Sequence, residues 1–380
     1  MIDSKLPHVG TSIFAVMSAL AAEHRAINLS QGFPDFAVPD ELLEGVSRHL
    51  REGRNQYAPM AGVLALREAI CAKLLESYGR RIDPEREVTV TSGGTEAIFD
   101  AITAMVRPGD EVVVFDPSYD SYGPAIELNG GRAVRLPLLP PRFEVDWDRV
   151  AAALTARTRL IIVNSPHNPT GVVWSRRDFD QLARLVEERD LVVLSDEVYE
   201  HIVFDGVPHV SVLDHPVLAS RSFAVFSFGK TYHATGWKMG YCVAPPELTA
   251  EFRKVHQFVT FCSTTPIQHA LADFMVARPD HWRGLPAFYQ ERRDAFCGGL
   301  RGSRLTFVPS SGTYFQLVDY GAITDKQDSQ YARELTMTRG LAAIPISAFY
   351  ERPPQTTLLR FCFAKDAATL DRATEILRGL

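Results

Sequence analysis

The feature that most constrains this chain is a rhythm through its middle, where short β-branched runs alternate with stretches of helical periodicity. Val88–Thr91 precedes a helical pattern over Thr95–Val106, Val112–Phe115 precedes Ser121–Leu128, and Leu160–Asn164 precedes Arg177–Arg189; Leu191–Ser195 and Ser222–Ser227 continue the series. Parallel strands need long crossovers, and helices supply them. The rhythm therefore predicts an α/β fold, a mostly parallel sheet with helices on both faces. Around Ala270–Leu300 the pattern turns long and helical. Beyond it Leu305–Pro309, Thr313–Val318, Ala342–Ile344 and Leu358–Phe363 read as strands, and Ser329–Thr338 and Asp366–Leu377 as helices. This tail reads as a separate α+β layer. The N-terminal segment has no strand rhythm and too few residues for a core of its own, so it is expected to pack on that layer.

Composition narrows the function. Hydrophobic residues make up 46% and charged residues 23% of the 380, which suits a folded chain with a large core and excludes a disordered one. Lys and Arg total 40 against 46 Asp and Glu, a net charge of −6, so no basic footprint for nucleic acid or acidic lipid exists. Cys71, Cys242, Cys262, Cys297 and Cys362 are scattered and show no zinc spacing; they read as reduced thiols, with no metal site, in a cytoplasmic protein. Leu6–Ala22 superficially resembles a signal-peptide core. Against that, Asp3 offsets Lys5, Pro7 and Gly10 interrupt the stretch, and Ile13, Phe14, Met17, Leu20 and Ala21 follow Ser12 at helical spacing, which reads as an amphipathic arm. The uncharged run Val255–Ala272 is too polar to span a membrane.

The candidate chemistry sits at strand ends. Ser222–Tyr241 runs from an apolar strand into a Gly-punctuated loop carrying Lys230 and Lys238. A loop lysine is ordinarily a solvated one. The functional alternative is that Lys230 forms a Schiff base with a carbonyl cofactor while Ser227 and Lys238 hold its phosphate. Asp196 suits a helix cap, or a contact to the ring nitrogen of a pyridine cofactor, with Tyr199 reaching that ring's phenolic oxygen. Asn168 lies where turn chemistry alone explains Asn-Pro and Thr-Gly, yet its amide can reach the same oxygen. Convergence favours the functional readings: Asn168, Asp196 and Lys230 follow three different strand ends of one sheet, where open α/β folds build their ligand crevice. Gly93-Gly94, before the Thr95 helix, either connects strand to helix or lets backbone amides meet an anion. Tyr119 suits stacking on a flat ring or packing at a helix start. Arg360, alone in the apolar run Leu358–Phe363, lies at a sheet edge with its stem buried or is kept for an anion such as a carboxylate. Nothing intrinsic marks Tyr57 as more than a loop residue.

Together, Asn-Pro-x-Gly, Asp-x-x-Tyr, Ser-x-x-Lys with the later lysine, and the arginine strand resemble, in order and spacing, the class I/II aminotransferases of pyridoxal phosphate fold type I. Ser30–Asp35, Asn55–Met60, Phe115–Tyr122 and Lys230–Lys238 are similar to the methionine aminotransferase branch, close to kynurenine–oxoglutarate transaminases. The resemblance implies a mostly parallel seven-stranded sheet flanked by helices, with a small α+β domain built from the chain's two ends. Residues 1–48 would form an arm and part of that small domain, 49–284 the large cofactor-binding domain, and 285–380 the rest of the small domain. It further implies pyridoxal 5′-phosphate on Lys230, with Asp196 at the ring nitrogen, Asn168 and Tyr199 at the phenolic oxygen, and Tyr119 stacked on the ring. Gly94, Thr95, Ser227 and Lys238 would hold the phosphate, joined by Tyr57 from the neighbouring subunit of a homodimer. Lys238 stands where family members often carry arginine, giving a point charge without a fork. Arg360 would bind the substrate α-carboxylate, assisted by Asn168 and the backbone of Gly32.

The implied activity moves the amino group of an amino acid to a 2-oxo acid, with Lys230 carrying the Cα proton. Cysteine-S-conjugate β-elimination and kynurenine–oxoglutarate transamination are alternatives on the same site. A cofactor-binding sensor without turnover would dispense with Lys230, which is present. No second cation can be assigned to a side-chain carboxylate. Phe14, Phe33, Tyr122, Phe258 and Phe261 suggest instead an apolar pocket for methionine, aromatic or branched side chains, although each Phe alone reads as core. The sequence leaves open whether Asp116–Pro117 and Asn168–Pro169 are cis; the scarcity of cis X-Pro bonds argues against it unless the site demands it.

Overall fold

The alternating runs pair as their pattern requires in the computed structural model, which describes residues 3–380. After helix α1 (Ile13–Glu23), strand β1 (Ile27–Asn28), and helices α2 (Asp40–Arg51) and α3 (Leu64–Tyr78), the central strands begin with β2 (Val88–Thr91). Helix α4 (Gly94–Met105) leads to β3 (Glu111–Asp116), then β4 (Arg132–Pro137), β5 (Thr158–Asn164), β6 (Val192–Asp196), β7 (Ser222–Ser227) and β8 (Gly240–Val243). These form one seven-stranded sheet in the order β2-β8-β7-β6-β5-β3-β4, with β8 antiparallel to both neighbours and the remaining pairs parallel. Strand alternation sends Val112, Val114, Ile162, Leu194 and Val225 to the face covered by Ala97, Ile98 and Ile102 of α4. Val113, Ile161, Val163, Val193 and Phe226 face the other way, into the cluster containing Phe179 and Leu182.

The chain ends form the second layer. Strands β9 (Phe315–Asp319), β10 (Leu341–Ala342), β11 (Ile344–Pro345) and β12 (Leu358–Cys362) follow the 22-residue helix Pro279–Leu300; β11-β12-β9 is an antiparallel sheet, and β10 pairs in parallel with β1. The N-terminal segment thus joins this layer through β1 and through α1, which Ser12 caps by accepting the Ala15 N–H at 3.3 Å. Helix α2 instead packs on Thr265–Ala277.

Several expectations change. Leu305–Pro309 is no strand; only Thr306 bridges to Asp319, while Leu305 and Phe307 pack on the core and Val308 is exposed, so the run is held by side-chain burial and not by a backbone ladder. Strands β4 and β8 escaped notice because β4 is a half-exposed edge punctuated by Arg132 and Arg135, and β8 is four residues inside a Gly-rich loop. Asp116–Pro117 and Asn168–Pro169 are both cis, as are Pro140–Pro141 and Ser165–Pro166. Tertiary context selects the isomer at each bond, which frequency cannot read. Arg360 lies on the middle strand of its sheet, not at an edge. Among the described residues no helix is long and apolar enough to cross a membrane.

Candidate active site

Strands β5, β6 and β7 end side by side at Asn164, Asp196 and Ser227, and the residues just past them enclose a cavity of about 250 Å3. Its lining includes Gly94, Thr95, Tyr119, Asn168, Asp196, Tyr199, Ser227, Lys230 and Lys238 from the large sheet's side, with Phe14, Gly32 and Arg360 from the second layer. Phe33 and Tyr57 lie off this lining. Phe33 is half-exposed beneath Lys365, 4.9 Å from its ring, because its backbone carbonyl accepts from the Lys365 ammonium at 2.9 Å. Tyr57 is 84% exposed and rests edge-on against Phe261 at 5.5 Å. Phe258 and Phe261 are also exposed and off the lining, at the end of the helix Pro246–Val259, so they do not form the apolar pocket expected of them.

At the floor, the Asp196 carboxylate accepts from the Tyr122 hydroxyl at 2.7 Å and from the Val198 N–H at 3.3 Å. Burial raises its pKa to about 6, against the Tyr122 contact, which lowers it. Asn164 braces two strand ends, donating to the Asp196 carbonyl at 2.8 Å and accepting the Asn168 N–H at 2.8 Å. Lys230 Nζ lies 2.9 Å from the Tyr314 hydroxyl, which itself donates to the Gly32 carbonyl at 2.6 Å. Burial lowers the Lys230 pKa to about 8, with Lys238 and Arg360 lowering it further and Asp196 opposing.

Arg360 is 1% exposed. It donates to Asn168 Oδ1 at 2.7 Å and to the Ser30 carbonyl at 3.3 Å, lies 3.8 Å over the Phe315 ring, and leaves its buried Nε without a partner. Burial lowers its pKa to about 10, far above neutrality, so it stays a cation aimed at the cavity. Accepting from Arg360 turns the Asn168 amide so that its NH2 is free to donate elsewhere. On the opposite wall α4 begins after Gly93, whose φ of +84° favours glycine, and no side chain caps it. Lys238 lies over that junction, its Nζ 3.6 Å from where a Gly93 Cβ would stand. Open helix amides beside a lysine make an anion site.

Sequence reasoning missed Tyr314, Asn164 and Phe315, and read Tyr122 as pocket wall. Their roles come from partners distant in the chain, Lys230 for Tyr314 and Arg360 for Phe315, which no local spacing encodes. Tyr122 and Asn164 lay in segments already singled out for their chemistry, whereas Tyr314 and Phe315 lay in a run read only as a strand.

Residues 24–377 match the family described as aminotransferase class I and II. This chain belongs to that family. The aminotransferase is 54% identical to the Escherichia coli methionine aminotransferase over 378 residues, covering 100% of this chain and 98% of the relative. The crystal structure of the Escherichia coli protein YbdL, described with a methionine aminotransferase function, superposes with a TM-score of 0.98 at 54% identity, covering all of both chains. Human kynurenine–oxoglutarate transaminase 1 is 34% identical, covering 94% of this chain and 93% of the relative.

The cofactor of the aminotransferase is pyridoxal 5′-phosphate. The donor set fits it. An uncapped helix start beside Lys238 suits the phosphate, a buried Asp196 carboxyl raised by burial gains from a cationic ring nitrogen, and Lys230 offers an amine of lowered pKa between them.

Proposed function

We propose that this aminotransferase transfers the amino group of apolar, thioether or aromatic L-amino acids, methionine foremost, to a 2-oxo acid. The observation that carries the substrate class is the cation count of the pocket. Among the described residues lining it, the cations are Lys230, Lys238 and Arg360. With Lys230 and Lys238 serving the cofactor and Arg360 the α-carboxylate, this subunit has none left for a second carboxylate. Phe14, Ile98, Met239 and Phe315 supply apolar wall instead. Identity to the Escherichia coli enzyme supports methionine within that class.

In this reading Gly94, Thr95, Ser227 and Lys238 hold the phosphate, Tyr119 covers the ring, Asp196 holds the ring nitrogen, and Asn168 and Tyr199 reach the phenolic oxygen. Arg360 takes the substrate carboxylate on its fork and so fixes the orientation of the Cα–H bond. The cofactor, when bound, supplies the electron sink that makes this proton removable. Lys230 Nζ accepts that proton. With a pKa near 8, a usable fraction of its amine is present near neutrality. Tyr314 and the Gly32 carbonyl hold the lysine between proton movements. The enzyme works as a homodimer, supported by the exposed apolar group Tyr57, Phe258, Val259 and Phe261, with Tyr57 lent to the partner's phosphate site. Apart from α2, which packs on Thr265–Ala277, residues 1–48 with 285–380 act as the small domain against 49–284. Its free thiols suit the cytoplasm.

The test is kcat/KM over a donor panel with one fixed acceptor. Methionine and phenylalanine are expected to exceed aspartate and glutamate by at least tenfold; a preference for the dicarboxylates would contradict the reading.

A further inference from the structure

Behind the cavity lies a buried relay that none of the steps above employs. Glu96 is the third residue of α4, and its Oε2 reaches back to accept the Ser92 N–H. Its Oε1 stands 2.7 Å from His256 Nδ1. His256 is fully buried on the helix Pro246–Val259 and sets its Nε2 3.0 Å from the Met60 carbonyl. A carbonyl only accepts, so Nε2 carries a proton. The other ring nitrogen faces a carboxylate, and Asp100 Oδ2 lies 3.5 Å from the same Nδ1. Two carboxyl groups against one ring nitrogen favour the doubly protonated ring.

Both ends of this relay meet the phosphate reading. Ser92 opens the junction Ser92–Thr95 that receives the phosphate in the same subunit. Met60 lies three residues beyond Tyr57, which serves the partner's phosphate, and the neighbouring Ala61 carbonyl accepts the Val90 N–H at 3.0 Å. Charge adds a second reason for His256. A carboxylate in the first turn of a helix whose amides receive a dianion would repel that dianion unless its own charge were paired.

We infer that Glu96 and His256 are positioning residues for the cofactor phosphate: they tie the Ser92–Thr95 junction to the segment bearing Tyr57 and neutralise the carboxylate beside the phosphate. This rests on the phosphate assignment made above. The experiment compares pyridoxal phosphate with pyridoxal, which lacks the phosphate, as ligands of the reconstituted protein, taking the ratio of their dissociation constants as the phosphate preference. His256→Gln strands the Glu96 charge and is expected to lower the preference at least tenfold while changing pyridoxal affinity less than threefold. Glu96→Gln removes the charge and weakens the strap, its amide oxygen still able to accept the Ser92 N–H but its contact to His256 no longer charge-paired, and is expected to lower the preference about threefold. The double variant E96Q/H256Q should regain part of the H256Q loss. A preference unchanged within twofold in the single variants, or equal weakening of both ligands, overturns the inference. Lys238→Ala separates the two layers of argument. If it lowers the preference while the relay variants do not, only the relay fails; if it too has no effect, the phosphate assignment fails. Should H256Q not fold, the near-isosteric E96Q carries the same comparison.

Discussion

Asp196 ends a buried strand with a carboxyl that its surroundings disfavour in the charged form, since burial raises its pKa from 3.8 to about 6. The folded, cofactor-free chain therefore binds a proton there more tightly than the unfolded chain. Its stability falls as pH rises through that window, by about 3 kcal/mol once both pKa values are passed. Asn cannot ionise but still accepts from Tyr122. Cofactor-free Asp196→Asn is expected to be more stable than the native chain at pH 7 by up to about 3 kcal/mol, with the gap closing towards pH 4. Urea unfolding across that range checks this, and a pH-independent gap would show that the carboxyl is not held in a disfavoured state. Lys230, Asp196 and Arg360 could be singled out in the sequence because charged types are unusual within or just past apolar strands. Tyr314 and Tyr122 were not, since a tyrosine hydroxyl acquires its role only from what folding brings to it.

Among elements, the junction of β2 with α4 depends on how closely β8 runs beside it. A Cβ on Gly240 would stand 2.7 Å from the Phe226 carbonyl oxygen and 2.9 Å from both the Gly93 carbonyl carbon and the Gly94 nitrogen. These are backbone atoms on two sides, so no side chain can swing away. Gly240→Ala is expected to cost about 1–3 kcal/mol of stability and to weaken cofactor affinity at least tenfold. A melting curve and a cofactor titration read the two effects; an unchanged affinity would mean that β8 does not shape the phosphate wall. The strands of the sheet interior were read within a residue or two because both faces are buried, which makes each a continuous apolar run. The edge strand β4 carries no such run, and in β8 the buried apolar residues Tyr241–Val243 are too few to stand out after a Gly-punctuated loop. Leu305–Pro309 shows the converse, an apolar run whose Leu305 and Phe307 pack on the core without forming a strand.

For the whole molecule, exposed Tyr57, Phe258, Val259 and Phe261 are apolar surface that a partner subunit would bury. Light scattering is expected to give twice the 42.3 kDa chain mass. Phe258→Asp should shift the chain towards monomer and weaken cofactor retention together; a stable monomeric native chain would contradict this. Sequence pattern reached the layers of the fold and the strand ends that meet at the cavity. It left Phe258 and Phe261 between pocket and core, because an apolar side chain reads alike whether it lines a pocket, a core or a subunit contact. The central claim is that an apolar amino acid alone can pass its amino group to this protein's cofactor. Absorption of the purified holoprotein, before and after L-methionine without any acceptor and then after a 2-oxo acid, tests it most directly. The account requires the cofactor's aldehyde-derived band to convert to the amine form with methionine and to return with the oxo acid. A cofactor band that methionine leaves unchanged would contradict it.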